Sequence, residues 1–194
     1  MATEGKEGKE GQDRARGAMA DLEEQTPAHL NPANFPQRLA HPESNIRVEL
    51  TYGPLAPSEY TAHVRSPHAG ANVLFLGTTR SSFADRPVAR LAYSSYAPMA
   101  LETMMAIAKE HTGKHGLTGV SIAHRLGEVA VGEESIAIAV SAAHRGPAWR
   151  AAEEILEKCK EKVEIWKRED FADDSSSAEW RANRDRDAEG KPVQ

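Results

Sequence analysis

The stretch VEIWKRED, residues 163–170, has the alternation of a short strand and then breaks it with a lysine. Strand side chains alternate between faces with period 2, so Val163, Ile165 and Lys167 share one face. An ammonium that follows two apolar residues there either marks where the strand runs out into solvent or faces a pocket. Just upstream, GPAWRAAEEILEKCKEKV (146–163) has helical periodicity. With Leu156 at zero on a wheel of 100° per residue, Trp149, Ala152, Cys159 and Ile155 form a buried stripe between about 20° and −100°. Lys160 lies at about 40° and Lys162 at about −120°, at the two edges of the stripe, while Lys158 lies nearly opposite it. Periodicity leaves Lys160 and Lys162 both open as pocket lysines. The plain alternative for either is a stem laid on apolar surface with its charge in water. In a pocket, such ammonium groups could neutralise an anionic reactant or move a proton.

Two further stretches suit an anion. AHRGP (143–147) joins a strand to the start of that helix, where backbone N–H groups are unpaired and favour negative charge. His144 and Arg145 add donors at the same place, a good setting for a phosphate. The plain reading is a strand-to-helix loop carrying two polar residues. GTTR (77–80) presents Arg80 at another strand end. The second His-Arg pair, His124-Arg125, falls inside a strand pattern and reads as structural. The histidines lack metal-ligand spacing, so no metal is expected, and no cofactor motif stands out. There is no phosphate-cradling Walker loop, no G-x-G-x-x-G and no G-x-S-x-G elbow.

These residues need a scaffold, and the chain supplies one. Strand patterns fall at IRVELTY (46–52), ANVLFLG (71–77), VARLAYSSY (88–96), GVSIAHRLG (119–127) and ESIAIAVSAA (134–143), the last two flanking the turn-like AVGEE. PSEYTAHV (57–64) reads as a short helix and PMALETMMAIAKEHTGKHG (98–116) as a long one, each opened by proline. With the helix at 146–163, this order predicts an α+β fold, a mixed or antiparallel sheet packed with two long helices. Residues 1–44 are Gly-, Glu-, Lys- and Pro-rich without lasting period and read as a mostly disordered extension. Residues 45–186 read as the folded domain, with a short docked piece around Trp180, and 187–194 as a flexible tail.

Bulk composition removes several classes. The chain has 194 residues and a formal net charge of −5, so no overall electrostatic case for nucleic-acid binding exists. Its single cysteine, Cys159, excludes an internal disulfide and a cysteine metal knuckle. No run approaches the ~18 apolar residues of a membrane span. The first residues lack the apolar core of a secretory signal and carry too much Glu and Asp for a mitochondrial presequence, so a cytoplasmic location is expected.

Taken in order, FLGTTR, LAYSSYAPMA, HRLGEVAVGEESIAIAVSAAHRGPAWRA and IWKRE resemble the large, catalytic subunit of molybdopterin synthase. The resemblance covers residues 46–185. It implies an α/β-hammerhead fold that forms a homodimer, each end of which binds a small ubiquitin-like sulfur-carrier subunit to give a heterotetramer. The carrier's C-terminal Gly-Gly thiocarboxylate would enter a pocket of the large subunit. The reaction it implies places two sulfurs on cyclic pyranopterin monophosphate (precursor Z), making molybdopterin.

By that resemblance Lys167 is one active-site lysine and Lys160, chosen over Lys162, is the other. Arg80, His144, Arg145 and Arg184 match substrate-binding positions, the last reaching the neighbouring subunit's pocket. Their charge suits a phosphate. Glu164 stands where the family usually has proline, and the serine-rich segment between Lys167 and Trp180 is longer than usual and lacks an expected glycine. Cys159 lies on the buried stripe and reads as core, since a carrier supplies the sulfur. A competing reading keeps the basic pocket without the chemistry: a non-catalytic module that binds a phosphate ligand or a partner.

Overall fold

The computed structural model describes residue 27 and residues 30–83, 85–173 and 178–184. In chain order the elements are β1 (Gln37–His41), β2 (Ile46–Thr51), α1 (Pro57–His63), β3 (Ala71–Thr78), β4 (Ser82–Phe83), β5 (Arg86–Ser95), α2 (Ala97–His115) and β6 (Leu117–Arg125). Then come β7 (Gly127–Ala130), β8 (Glu134–Ala142), α3 (Arg145–Lys162), β9 (Ile165–Phe171) and β10 (Trp180–Ala182). The architecture is α+β, with two long helices and two sheets. One sheet has the order β1-β2-β6-β8-β3, antiparallel except for the β2–β6 pair. The other has the order β10-β9-β5-β4, with β7 also on β5.

The apolar run of β8 is buried on both faces, which is why it carries no polar alternation. Ile136, Ile138, Val140 and Ala142 enter the main core with residues of α2 and α3, while Ala137 and Ala139 meet Tyr60 and Val64 at α1. The helices α2 and α3 thus lie on one face of the first sheet and α1 on the other. Fully burying the larger of these side chains stabilises the fold by roughly 1.5–3 kcal/mol each.

Gly127 carries the chain from β6 into β7 and so from one sheet to the other. Its φ is +74°, and a Cβ there would stand 2.9 Å from Tyr52 Cδ1. Only glycine meets both demands without strain. The sequence pattern ends a strand at Gly127 and shows only the turn-like AVGEE beyond it, and β7 is an addition to the expected elements.

Two other expectations change. β1 lies inside the stretch read as a disordered extension, so ordered structure begins before residue 44; residues 1–26 and the 187–194 tail lie outside the described residues. β1 is an edge strand that buries little, and what holds it is pairing to β2 and an ion pair from Arg38 to the buried Glu49. Neither shows in a hydrophobic period. Trp149, placed on the buried stripe of α3, is 63% exposed. The buried arc is Ala148, Ala151, Ala152, Ile155, Leu156 and Cys159, whose centre lies on the alanine side. In β5 the register shifts between Val88 and Arg90, so Val88 joins Leu91 and Tyr93 on one side although strict period 2 would separate them.

Candidate active site

A cavity of about 140 Å³ opens between the two sheets. The ends of β3, β6 and β8 form one wall, β4, β5 and β9 the other, and the last turn of α3 closes one side. Within the first wall Gly77 of β3 pairs with Ile136 of β8, and a Cβ on Gly77 would sit 2.6 Å from Ile136 Cγ2. Lys160, Lys167 and Arg80 all line this cavity.

Lys167 faces inward because β9 alternates. Ile165 and Glu169 are buried on its side, whereas Arg168 and Asp170 pair with each other and Arg90 beyond the other face. The lysine on the packed face therefore meets a pocket, not solvent. Its side chain is 12% exposed, and its Nζ lies 3.7 Å from Oε1 of Glu169. Glu169, 5% exposed, also accepts from Arg181 of β10.

Lys160 sits at the edge of the α3 buried arc beside Cys159, in the helix's last turn, where the carbonyl end favours a cation. The cavity takes Lys160 and not Lys162, which is exposed. The geometry thus makes the choice periodicity could not. Burial pushes the Cys159 thiol up to about 12, leaving it an unreactive core group.

His124, read from sequence as structural, reaches the same cavity while remaining buried. Its ring lies edge-on to Tyr93 at 4.9 Å. Nδ1 donates to the Arg125 carbonyl at 2.8 Å, so Nε2 accepts from the Asn183 side-chain amide at 3.3 Å. Burial lowers its pKa to about 4, and the imidazole is a neutral acceptor near pH 7. Glu169, Arg181 and Asn183 were absent from the sequence candidates. Glu169 shares the period-2 face of Lys167 and could have been found that way. Arg181 and Asn183 could not, because β10 is separated from β9 by residues 172–179 of the sequence and no local pattern gives their pairing.

The remaining candidates lie elsewhere. His144 and Arg145 are exposed at the start of α3, and the rise of 1.5 Å per residue puts them about 22 Å along the helix from Lys160. Neither lines the cavity. Arg184 is exposed just past β10, in electrostatic contact with Glu161 at the end of α3, and is likewise not a lining residue. Among the described residues no group of His, Cys, Asp and Glu could hold a metal ion, and no helix is long and apolar enough to cross a membrane.

The family model for the MoaE protein matches residues 50–162. The molybdopterin synthase catalytic subunit of Coccidioides immitis (strain RS) is 66% identical over 166 residues, covering 85% of each chain. The chain belongs to the family of molybdopterin synthase catalytic subunits. The X-ray crystal structure of molybdopterin synthase from Staphylococcus aureus aligns with a TM-score of 0.64 at 32% identity, over 68% of this chain and 94% of that one. A complex of subunits 1 and 2 of molybdopterin-converting factor from Helicobacter pylori 26695 shares the fold, with a TM-score of 0.56 at 21% identity over 66% of this chain and 86% of that chain. As a molybdopterin synthase catalytic subunit the chain is an enzyme of molybdenum cofactor biosynthesis. The cavity holding Lys160 and Lys167 is its candidate active site.

Proposed function

We propose that this cavity receives the C-terminal thiocarboxylate of a small sulfur-carrier subunit and passes its sulfur to cyclic pyranopterin monophosphate. The observation that carries this reading is the convergence of Lys160, from a helix end, and Lys167, from a strand, with Arg80 in one cleft between two sheets. Lys160 meets the carrier's anionic terminus. The thiocarboxylate sulfur attacks a substrate carbon and forms the C–S bond as the displaced oxygen departs as water, taking a proton. Water then cleaves the acyl–sulfur bond, leaving the sulfur on the substrate and the carrier with a carboxylate. Lys167 supplies and recovers the proton and stabilises charge during attack. Two such rounds add the two sulfurs.

The substrate's phosphate requires charge-assisted donors, and Arg80 is at hand. His144 and Arg145 have the right chemistry but stand a helix length away. A homodimer, in which a second copy brings its His144 and Arg145 to the first copy's cavity, reconciles their chemistry with their position, and Arg184 serves across the same contact. The Helicobacter pylori complex of subunits 1 and 2 supports a partner subunit.

The test is sulfur incorporation by Lys160→Ala and Lys167→Ala with thiocarboxylated carrier. Each is expected to fall by at least about 100-fold. Near-normal turnover in both would remove the lysines from the mechanism.

A further inference from the structure

Lys167 does not face the cavity alone. Its neighbour two residues on, Glu169, is buried and presents Oε1 to the Lys167 ammonium at 3.7 Å. The other oxygen, Oε2, is held by the Arg181 guanidinium. Arg181 stands opposite Lys167 in the β9–β10 register, so the two side chains project from the same face of that sheet. Its guanidinium also lies over the ring of Phe83, a cavity-lining residue, at 4.9 Å from the centroid. One buried carboxylate is thus shared between two cations that arrive from adjacent strands.

Sharing changes what the lysine can do. A buried carboxylate with a single ammonium partner draws it into a close pair, because desolvated charges attract strongly and neither has water to replace the other. An ammonium engaged in that way is turned from an incoming anion. With Arg181 on Oε2, two cations share the one carboxylate, and Glu169 is not left to Lys167 alone. The 3.7 Å separation of Lys167 from Glu169 is longer than a charge-assisted hydrogen bond of about 2.7–2.9 Å, as expected of the less committed partner. The strand that supplies Arg181 is short, and its backbone pairing to β9 fixes where the guanidinium falls.

We propose that Arg181 is a positioning residue: by holding Glu169 it keeps Lys167 directed at the reacting groups. This rests on the proposed role of Lys167. Arg181 touches no reacting atom in this account and acts through Glu169.

Arg181→Met keeps the stem over Phe83 and removes the charge. Glu169 then closes on Lys167, and kcat for sulfur transfer is expected to fall about tenfold while KM for the thiocarboxylated carrier holds within about twofold. Arg181→Lys restores the charge and is expected to recover kcat to within about threefold of the parent. In a Glu169→Gln background there is no carboxylate to hold, so adding Arg181→Met is expected to cost less than about twofold. A merely structural anchor would lose the same factor in both backgrounds and show it in the thermal midpoint. Unchanged kcat in Arg181→Met, equal losses in both backgrounds, or no rescue by Arg181→Lys would each overturn the proposal. Lys167→Ala measured in parallel separates the two levels. If that variant is inactive and Arg181→Met is normal, only the positioning role is lost; if Lys167→Ala turns over normally, both fall.

Discussion

Side-chain environment divides the labour between neighbouring residues of this site. Lys160 and Cys159 are adjacent in sequence, yet one lines the cavity and the other is sealed in the core with its thiol raised to about 12. Cys159→Ala is therefore expected to leave sulfur transfer within about twofold of the parent, at a stability cost of about 1 kcal/mol, checked by assay and denaturant midpoint. His124 makes a pH prediction. The unfolded chain takes up its proton near pH 6.5 and the folded chain only near 4, so between those values acid favours unfolding. The loss amounts to about 3 kcal/mol across that window and is absent above it. His124→Asn is expected to flatten this part of the stability curve, measured as denaturant midpoint against pH. An equal slope in both proteins would show that the imidazole is not held neutral.

At the scale of elements, the strands that bury continuous apolar runs were readable, and those held by pairing and charge were not. β8 declares itself through ESIAIAVSAA, and its buried faces are those its pattern implies. β1 offers only Leu39 to the core and depends on β2 and on Glu49, which also accepts from the Tyr60 hydroxyl at 2.9 Å. A chain shortened to begin at residue 45 removes β1 and Arg38, and is expected to lose about 2 kcal/mol of unfolding free energy, less than a fully buried ion pair because Arg38 is half exposed. Unchanged stability would place the true boundary where composition put it. The site was partly legible for the same reasons. Period 2 brings Lys167 inward, and the helical wheel narrows its companion to Lys160 or Lys162. Glu169 obeys the rule that found Lys167. Arg181 and Asn183 depend on how the three-residue β10 sits against β9, a register that no local pattern encodes. Trp149 misled because a wheel marks the largest apolar group, whereas α3 approaches the sheet through its alanines.

For the whole molecule, a cavity between two sheets lets a helix end, a strand face and a loop arginine converge although they are distant in sequence. The same architecture leaves His144 and Arg145 about 22 Å along α3 from Lys160. If dimers share sites, mixing inactive Lys167→Ala with inactive His144→Ala and allowing exchange is expected to restore about a quarter of wild-type sites, since half the dimers are mixed and each has one intact site. No recovery would confine each site to one chain. The central claim is that two lysines in one cleft perform the transfer. Its most direct test is single-turnover transfer of labelled sulfur from a thiocarboxylated carrier to cyclic pyranopterin monophosphate, run on the parent and on the Lys160→Ala and Lys167→Ala subunits. The account predicts that both variants keep the parental thermal midpoint and transfer sulfur at least about 100-fold more slowly. Parental transfer rates in both folded variants would contradict it.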